Sequence, residues 1–205
     1  MAGLREKQKT DRRNRILQSA VTLFQANGYR AVRIEDLAEL AEVSVGTVYN
    51  YYRNKGDILI AIVAMEVEEV LASGTAVVDD PPPGIEAPVI ALIYTYYDHS
   101  LIYLSKEMWR SAMALSIEAP GTPNGQRYTE LDCLLAAQVS ALIAVLQHRG
   151  DVASDLDAQA VGHLIFNTLN QVFIEFIKND PLTLQDLRQQ VCKQMKPLFR
   201  LLSSS

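Results

Sequence analysis

The sequence predicts an all-α protein of about nine helices, with a small N-terminal head joined through its fourth helix to a larger helical body. Two observations support this fold class. Apolar residues recur at intervals of three and four along most of the 205 residues, the period of an amphipathic helix, and no stretch shows the alternation typical of a β-strand. The clearest interruption is Asp79–Gly84, where three consecutive prolines cannot continue a helix and would form an extended spacer.

The first helix is predicted to begin at about Thr10, after a flexible basic arm that comprises residues 1–9. Its apolar residues lie at helical spacing and would bury one stripe of the helix, and Asn27-Gly28 ends it. These apolar residues are Ile16, Leu17, Ala20, Val21, Leu23 and Phe24.

Residues 33–55 predict two short helices around a tight turn, followed by the start of a fourth helix. Ser44 is placed to cap the second short helix, which begins at Val45. This helix offers Val48 to a core but leaves polar and aromatic side chains free, which is the helix-turn-helix pattern. We therefore interpret the helix that begins at Val45 as a recognition helix for DNA.

The fourth helix is predicted to begin after Asn54, which caps it together with Asp57, and to run to about Leu71. The pattern predicts five further helices, the last of them capped by Thr183 with Asp186. These helices cover residues 86–104, 106–117, 127–148, 157–178 and the segment after 183, which is bent or weakened at Pro197.

The net charge of −5 hides an asymmetry between two parts of the chain. Residues 1–55 carry ten lysines and arginines against six acidic residues, a net of +4, whereas residues 56–205 carry nine against eighteen, a net of −9. A basic head on an acidic body suits a polyanion that binds at one end only. We therefore predict a DNA-binding domain over residues 1–55, and a separate helical domain over residues 56–205.

Composition and motifs argue against several classes of protein. An apolar fraction of 49% and a charged fraction of 21% are typical of a soluble globular protein, and no apolar run reaches the roughly 18 residues of a membrane helix. The charged N-terminus lacks the apolar core of a secretory signal, so we predict a cytoplasmic protein with no membrane partner.

No nucleophile elbow, phosphate-binding glycine loop, metal signature or paired-carboxylate arrangement appears in the sequence, which argues against an enzyme, a cofactor and a bound metal. Cys133 and Cys192 lie far apart and lack metal spacing, so we interpret them as buried or semi-buried thiols and leave their redox role open.

Some twenty positions between residues 10 and 60 share an order and spacing known from one family. They fall in Ile16–Phe24, Gly28-Tyr29, Ile34–Ala38, Val43–Tyr52 and Asn54–Leu59. In these positions the chain resembles the TetR family of bacterial transcriptional regulators, whereas the body is similar only in size and helical character. The resemblance implies a DNA-binding head and a C-terminal domain for effector binding and dimerisation.

The resemblance also implies which residues of the head contact DNA. The positions similar to phosphate contacts carry hydroxyls or a lysine, which can bind phosphate beside free backbone N–H groups. They are Ser44, Thr47, Tyr49, Tyr51 and Lys55. Val45, Gly46 and Asn50 are similar to base-facing positions, where Val45 can meet a thymine methyl group and Asn50 can donate and accept at a base edge. Tyr52 is interpreted as packing.

Two residues depart from the family pattern. Glu42 stands in the turn where the family usually has glycine, so a left-handed backbone there would cost on the order of 1–2 kcal/mol. Arg33 stands where Ser or Thr usually caps helix two, which loses a cap typically worth about 1 kcal/mol. We hypothesise that Arg33 contacts a DNA phosphate instead.

Helix eight is apolar around most of its circumference, which favours a homodimer joined by a four-helix bundle with helix nine. A dimer would present two heads to a palindromic operator. The alternative, a helix buried at the centre of its own monomer, stays open. The predicted interface comprises Val161, Leu164, Ile165, Leu169, Val172, Phe173, Phe176, Val191 and Leu198.

Aromatic residues and methionines concentrate in the middle of the body, as expected for a pocket that binds a small apolar or aromatic effector. The candidate residues are Tyr94, Tyr97, Trp109, Met113, Phe166 and Asn170. For each aromatic residue, ordinary core packing is the alternative.

The predicted function is a dimeric repressor that such an effector releases from its operator. An adaptor whose body binds a protein partner is the alternative. The sequence identifies neither the operator, the effector, the regulated genes nor the choice between repression and activation.

Overall fold

A computed structural model describes residues 2–202, without the side chains of residues 2, 4 and 5. Over this range the regular secondary structure is α-helical and comprises nine helices, so the predicted fold class is confirmed. The helices are α1 (Ala2–Asn27), α2 (Ile34–Leu40), α3 (Val45–Tyr49), α4 (Lys55–Asp79), α5 (Glu86–His99), α6 (Lys106–Glu118), α7 (Pro123–Arg149), α8 (Ala158–Lys178) and α9 (Leu184–Leu202).

The N-terminal residues form a helix and not a flexible arm. Because α1 begins at Ala2, the predicted arm is wrong over residues 2–9. After Gly3 these residues are mostly good helix formers, and they extend a helix whose apolar stripe is anchored further along. Met1 and the side chain of the predicted arm residue Arg5 lie outside the described residues.

α4 continues past its predicted end at Leu71 and stops at Asp79, immediately before the prolines. Ser73 and Thr75 resemble loop residues in the sequence. Their hydroxyls, however, donate to the carbonyls of Glu69 and Leu71, at 2.9 and 3.0 Å, and so are satisfied within the helix.

Two other helix ends differ from the predicted ones. α5 ends at His99, five residues before the predicted end at residue 104. α7 begins at Pro123, within the predicted loop before residue 127. A proline is tolerated at the first position of a helix, because the N–H that it lacks would have no partner in the helix there.

The predicted caps of α3 and α4 are present. Ser44 Oγ accepts a hydrogen bond from the N–H of Thr47 at 3.1 Å. At the start of α4, Asn54 Oδ1 accepts from the N–H of Asp57 at 3.0 Å, and Asp57 Oδ2 accepts from the N–H of Arg53 at 2.8 Å. Both helix starts are therefore fixed by their own sequence.

The caps of α9 and α2 differ in completeness. Thr183 Oγ1 accepts from the N–H of Asp186 at 3.2 Å, and Asp186 Oδ2 accepts from the N–H of Thr183 at 2.8 Å, which completes a capping box. At α2 only the second half exists, where Asp36 Oδ2 accepts from the N–H of Arg33 at 2.8 Å. The guanidinium of Arg33 cannot accept a hydrogen bond, so the predicted loss of this side-chain cap is confirmed.

The helices pack into two compact units, of which the first comprises Met1–Met65 and Tyr103–Tyr128. It contains α1, α2, α3, the start of α4, all of α6 and the first residues of α7. Its fully buried residues include Ile16, Ala20, Phe24, Leu37, Val48, Ile58, Ile62 and Met108. The predicted functional boundary between residues 55 and 56 is not tested by this packing and stays a prediction.

The second unit comprises Glu66–Ile102 and Thr129–Ser205. Within it, α9 packs against both α5 and α8. α7 and α8 approach closely at Gly162, where a Cβ atom would lie 2.4 Å from the Cα of Ser140, so a larger residue does not fit without displacing backbone. Its buried residues include Val89, Leu92, Tyr97, Leu142, Ile143, Ile165, Leu169, Val191 and Met195.

Among the described residues, α7 is the one helix that is long and apolar enough to cross a membrane, with a mean hydropathy of 1.6 over its most apolar stretch. A core helix passes the same test of length and composition. Leu142, Ile143 and Leu146 of α7 are fully buried in the second unit, so its apolar character serves packing at least in part.

The turn between α2 and α3 has a left-handed residue at Glu42, whose φ is 53°. The N–H of Val43 donates to the carbonyl of Ala38 at 3.0 Å, which satisfies a terminal carbonyl of α2. The expectation of a strained turn at Glu42 is therefore confirmed, since a residue with a Cβ atom adopts this conformation at a cost.

Replacing Glu42 by glycine is expected to raise the free energy of unfolding by about 1 kcal/mol, because glycine adopts a positive φ without strain. Urea unfolding measures the difference. Glu39→Gly is the matched control, since Glu39 is an exposed glutamate in the right-handed backbone of α2 and glycine there should destabilise by about 0.5–1 kcal/mol. Destabilisation by both variants would contradict the strain at Glu42.

Candidate nucleic-acid interface

α3 presents a short polar face that is held from beneath by one apolar residue. The helix has five residues, and Val48 is fully buried in the first unit. Tyr49, whose exposed fraction is 50%, and Asn50 at the C-cap lie on the solvent side. The structure therefore leaves these two side chains available to an external partner.

The hydroxyls at the start of α3 retain donor capacity. Ser44 Oγ and Thr47 Oγ1 lie 2.8 Å apart, so one of the two hydroxyl protons forms the bond between them. The other proton is left without a described acceptor. This hydroxyl proton and the N–H groups of Val45 and Gly46, for which no acceptor is described, can donate hydrogen bonds to an anion such as a phosphate.

Gly46 is not required by packing inside the chain. A Cβ atom there would meet only Ser44 Oγ, at 3.8 Å, among the described residues, and the backbone of Gly46 is exposed. Val45 beside it is half-buried. The space in front of Gly46 is therefore open to a partner that approaches the backbone closely, as the base-facing assignment requires.

The first turns of α1 lie beside α3. A cleft is lined by Gln8, Lys9 and Arg12 of α1 and by Thr47, Asn50 and Tyr51. The hydroxyl of Tyr51 donates to the carbonyl of Lys9 at 3.2 Å and joins the two segments. Two cations thus flank the polar face of α3. This arrangement was not predicted, because Lys9 was assigned to a flexible arm and the packing of the first helix beside α3 cannot be read from the sequence.

Tyr51 and Tyr52 have different roles from one another. The single hydroxyl proton of Tyr51 is already donated to Lys9, so a phosphate contact by Tyr51 would require that bond to break. Tyr52 is buried, and its burial raises the pKa of its hydroxyl. The interpretation of Tyr52 as a packing residue is confirmed.

Arg33 and Lys55 also differ in availability. The side chain of Arg33 is largely exposed, with Glu35 Oε2 3.3 Å from its Nε. An exposed pair of this kind is weak, so the guanidinium can turn to another anion. Lys55 is half-buried, and its Nζ donates to the carbonyls of Arg30 and Val32 at 2.9 and 3.0 Å.

In the second unit, Tyr97 serves the core. Its hydroxyl donates to the carbonyl of Leu169 at 2.7 Å, and its ring stacks on Phe173 with the centroids 6.1 Å apart. Phe166 is buried as well, and Asn170 is half-buried on the same helix. For Tyr97 the structure thus favours the alternative of ordinary core packing.

Tyr94 lies on another side of α5 and faces α9. Its hydroxyl is 3.0 Å from the Sγ of Cys192, and the guanidinium carbon of Arg188 lies 5.0 Å from its ring centroid. The hydrogen bond with the thiol, and to a smaller extent burial, raise the pKa of the Tyr94 hydroxyl to about 12.

In the first unit, Trp109 is buried and Met113 is half-buried on α6.

The predicted dimer residues are mostly packed inside their own chain. Among the nine, Leu164 is the clear exception, with an exposed fraction of 52%, and Leu198 is half-buried. The other seven are buried, so they form core and not a free surface: Val161, Ile165, Leu169, Val172, Phe173, Phe176 and Val191. This residue set is corrected, because an all-round apolar helix can equally lie at the centre of a monomer.

A polar connection between α4, α5 and α7 was not predicted. Tyr96 Oη donates to Gln138 Oε1, and Gln138 Nε2 donates to the carbonyl of Leu71, both at 2.8 Å. A Cβ atom on Gly74 would lie 2.4 Å from Gln138 Oε1, so glycine at this place in α4 admits the glutamine. Gly74 lies beyond the predicted end of helix four at Leu71, so no helical glycine was predicted there.

These helices match a known family in sequence as well as in shape. Residues 16–62, which span the second half of α1, α2, α3 and the start of α4, match the family model described as bacterial regulatory proteins, tetR family. This part of the chain is therefore similar in sequence to the TetR family. The resemblance stated from the sequence is thereby confirmed over these residues.

The transcriptional repressor KstR of Rhodococcus jostii is 38% identical over 74 residues, which are 36% of this chain and 32% of that protein. The match therefore spans about a third of the relative's length. A fatty acid metabolism regulator protein of Bacillus subtilis is 24% identical over 184 residues, which are 85% of this chain and 88% of that protein.

Solved structures share the whole fold. A TetR-family transcriptional regulator from Pectobacterium atrosepticum has a TM-score of 0.77 at 20% identity and covers 97% of each chain. FadR from Bacillus subtilis, in complex with stearoyl-CoA, has a TM-score of 0.66 at 20% identity and covers 88% of this chain and 96% of that one. At these identities the likeness is one of fold.

Asp132 on α7 is a carboxylate that this fold keeps partly dehydrated, because burial raises its pKa to about 6. The folded state therefore binds the proton more tightly than the unfolded chain does. The resulting stability is complete below about pH 4 and is lost as the pH rises through 6. At neutral pH the ionised Asp132 destabilises the fold.

Asp132→Asn is expected to raise the free energy of unfolding by on the order of 1 kcal/mol at pH 7.5, because it removes the dehydrated charge. The gain should shrink as the pH falls towards 5, which urea unfolding at several pH values measures. Asp155→Asn is the control at an exposed site and should change little at any pH. A gain that does not depend on pH would refute the assignment.

Proposed function

We propose that this chain is a dimeric, sequence-specific DNA-binding regulator of the TetR family, a repressor released from a palindromic operator by a small and largely apolar effector. The observation that carries the proposal is the open polar face of α3, where Gly46 and Asn50 lie uncovered beside Lys9 and Arg12. Apolar residues anchor this face from beneath, and cations flank it. A regulator of this kind acts in the bacterial cytoplasm, where its DNA is, and it needs no catalytic group.

Within this proposal the residues divide by what they contact. Ser44, Thr47, Tyr49 and Arg33 would contact phosphates, which set affinity and register. Val45, Gly46 and Asn50 would face base edges in the major groove and so set specificity. We add Lys9 and Arg12 to the first group, because the helical form of α1 fixes them next to the recognition helix.

The assignment predicts different effects for the two groups. Arg12→Ala should weaken binding to all sequences alike and reduce the slope of log affinity against log salt by about 0.9, as expected for one lost phosphate contact. Asn50→Ala should relax sequence preference at one or two base pairs, with about 1–3 kcal/mol less discrimination. Fluorescence anisotropy on a selected operator and its point variants measures both.

Lys193→Ala is the control for these measurements, because Lys193 is an exposed cation on α9 in the other unit. It should leave both the salt slope and the sequence preference unchanged. If Asn50→Ala kept the full preference at every base pair, α3 would not read bases as proposed.

The dimer is proposed to form through the outward sides of α7 and α8. Two contacting subunits need an exposed apolar surface, and α7 carries one along about four turns. Its exposed residues at helical spacing are Leu134, Ala137, Ala141, Ala144, Val145 and also Cys133, whose predicted burial is wrong. Leu164 is the exposed leucine of α8, whereas the outward residues of α9 around Gln189 and Lys193 are polar.

The dimer proposal predicts a mass of twice 22.8 kDa at micromolar concentration. Ala141→Arg or Leu164→Arg should shift it to the monomer mass, because each buries a charge in the contact. Gln189→Arg on the polar side of α9 is the control and should keep the dimer. Analytical ultracentrifugation measures the masses, and a monomeric wild-type protein would refute the dimer.

The effector is proposed to be a long-chain acyl thioester or a similarly apolar molecule. Two relatives of the same fold support this choice, since FadR from Bacillus subtilis is in complex with stearoyl-CoA and FadR from Thermus thermophilus with lauroyl-CoA. Tyr94, Phe166 and Asn170 of the second unit, and Trp109 and Met113 of the first, each stay a predicted effector contact.

A further inference from the structure

The turn between α1 and α2 is held by a carboxylate from α6. The N–H of Tyr29 donates to Glu107 Oε2 at 3.3 Å. A Cβ atom on Gly28, which has a positive φ, would lie 3.0 Å from the same oxygen, so the carboxylate is set directly against the turn. All of these residues belong to the first compact unit.

Lys55, the first residue of α4, is fastened to this same turn. Its ammonium group has three N–H donors, and the carbonyls of Arg30 and Val32 accept two of them at 2.9 and 3.0 Å. The nitrogen also lies 4.7 Å from the centroid of the Tyr29 ring, at cation–π distance. Burial lowers the pKa of Lys55, and the charge of Glu107 acts in the opposite direction.

A residue in the first turn of α7 also contacts the start of α4. Asn124 Nδ2 donates to Asp57 Oδ1 at 2.9 Å, while Asp57 Oδ2 accepts from the N–H of Arg53. A Cβ atom on Gly56 would lie 3.2 Å from a methyl carbon of Leu115. α6 and the first turn of α7 therefore touch both segments that Lys55 joins.

We propose that Lys55 is a positioning residue for DNA binding and not a phosphate contact, and that Glu107 of α6 completes the cluster through which it acts. The proposal rests on the proposed DNA-binding function of the head. Arg30 and Val32 accept two of the three N–H donors of Lys55, and the nitrogen lies against the Tyr29 ring, so at most one donor is left for a phosphate. Lys55 joins the start of α4 to the turn before α2. Because α2 and α3 lie between these two segments in the chain, the contact restrains the position of the helix-turn-helix.

Removal of Glu107 changes DNA affinity in opposite directions depending on whether its charge or its contacts matter. By charge alone, removing a carboxylate from a DNA-binding unit strengthens its attraction for DNA. If Glu107 positions the head, its removal weakens binding instead, because the N–H of Tyr29 loses its acceptor and the ammonium of Lys55 loses a nearby negative charge. Charge and position thus predict opposite directions for the same variant.

The experiment compares Lys55→Met, Glu107→Ala and the double variant, with Glu118→Ala as the matched control. Glu118 is an exposed glutamate on the same helix, and the described residues give it no hydrogen bond or ion pair. Operator affinity is measured at several salt concentrations. Amide hydrogen exchange of residues 28–32 is followed in the same proteins without DNA.

Both single variants are expected to weaken binding by on the order of fivefold at every salt concentration, with an unchanged salt slope. The double variant should be little weaker than either single variant, because both act through one cluster. Exchange of residues 28–32 should accelerate in both, and Glu118→Ala should bind as the wild type does or slightly more tightly. Should Glu107→Ala unfold, Glu107→Gln keeps an acceptor for Tyr29 and should give a smaller effect of the same sign.

Two results would overturn the proposal. One is a salt slope reduced by about 0.9 in Lys55→Met together with unchanged or tighter binding by Glu107→Ala, which would make Lys55 a phosphate contact. The other is unchanged exchange of residues 28–32 in both variants. A wild-type protein that binds no operator would instead refute the proposed function, and the exchange measurement would still decide the role of the cluster.

Discussion

A helix of five residues has no stability of its own in water, so α3 exists only because its surroundings hold it. Three local contacts provide this support. The left-handed residue Glu42 turns the chain, Ser44 caps the first turn of α3, and Val48 is buried beneath it. Every proposed base contact depends on this arrangement, because Gly46 and Asn50 are presented by it.

The strain at Glu42 shows how closely the turn is specified. A glutamate adopts a conformation that glycine would adopt at lower cost, and the flanking helices still enforce it. The same rigidity extends to the other end of α2, where Asp36 and Lys55 hold the backbone of residues 30–33. The proposed recognition helix α3 is thus held within a small set of hydrogen bonds, as a preorganised site requires.

The features that the sequence predicted well are local ones. Ser44, Asn54 with Asp57, and Thr183 with Asp186 cap the helices as expected, because a cap involves residues three positions apart. The family pattern over residues 16–62 is of the same kind. The fold class followed from helical periodicity for the same reason.

The features that the sequence could not predict depend on distant residues. Nothing near Glu107 indicates that it contacts the N–H of Tyr29, 78 positions earlier, or that α6 packs with the head. The apolar circumference of α8 was compatible with a dimer surface and with a monomer core. In the structure, Ile165 and Phe176 are buried inside their own chain and belong to the core. The resemblance placed Lys55 on DNA, but it could not reveal that Arg30 and Val32 accept two of the three ammonium protons.

The central claim is that α3 and the start of α1 bind DNA as one of two symmetric heads. Selection of binding sequences from random duplex DNA by the purified protein tests it most directly. The account predicts an enriched palindrome of two half-sites, which the protein releases when a long-chain acyl-CoA is added. Enrichment of a single unrepeated site, or of no sequence at all, would contradict it.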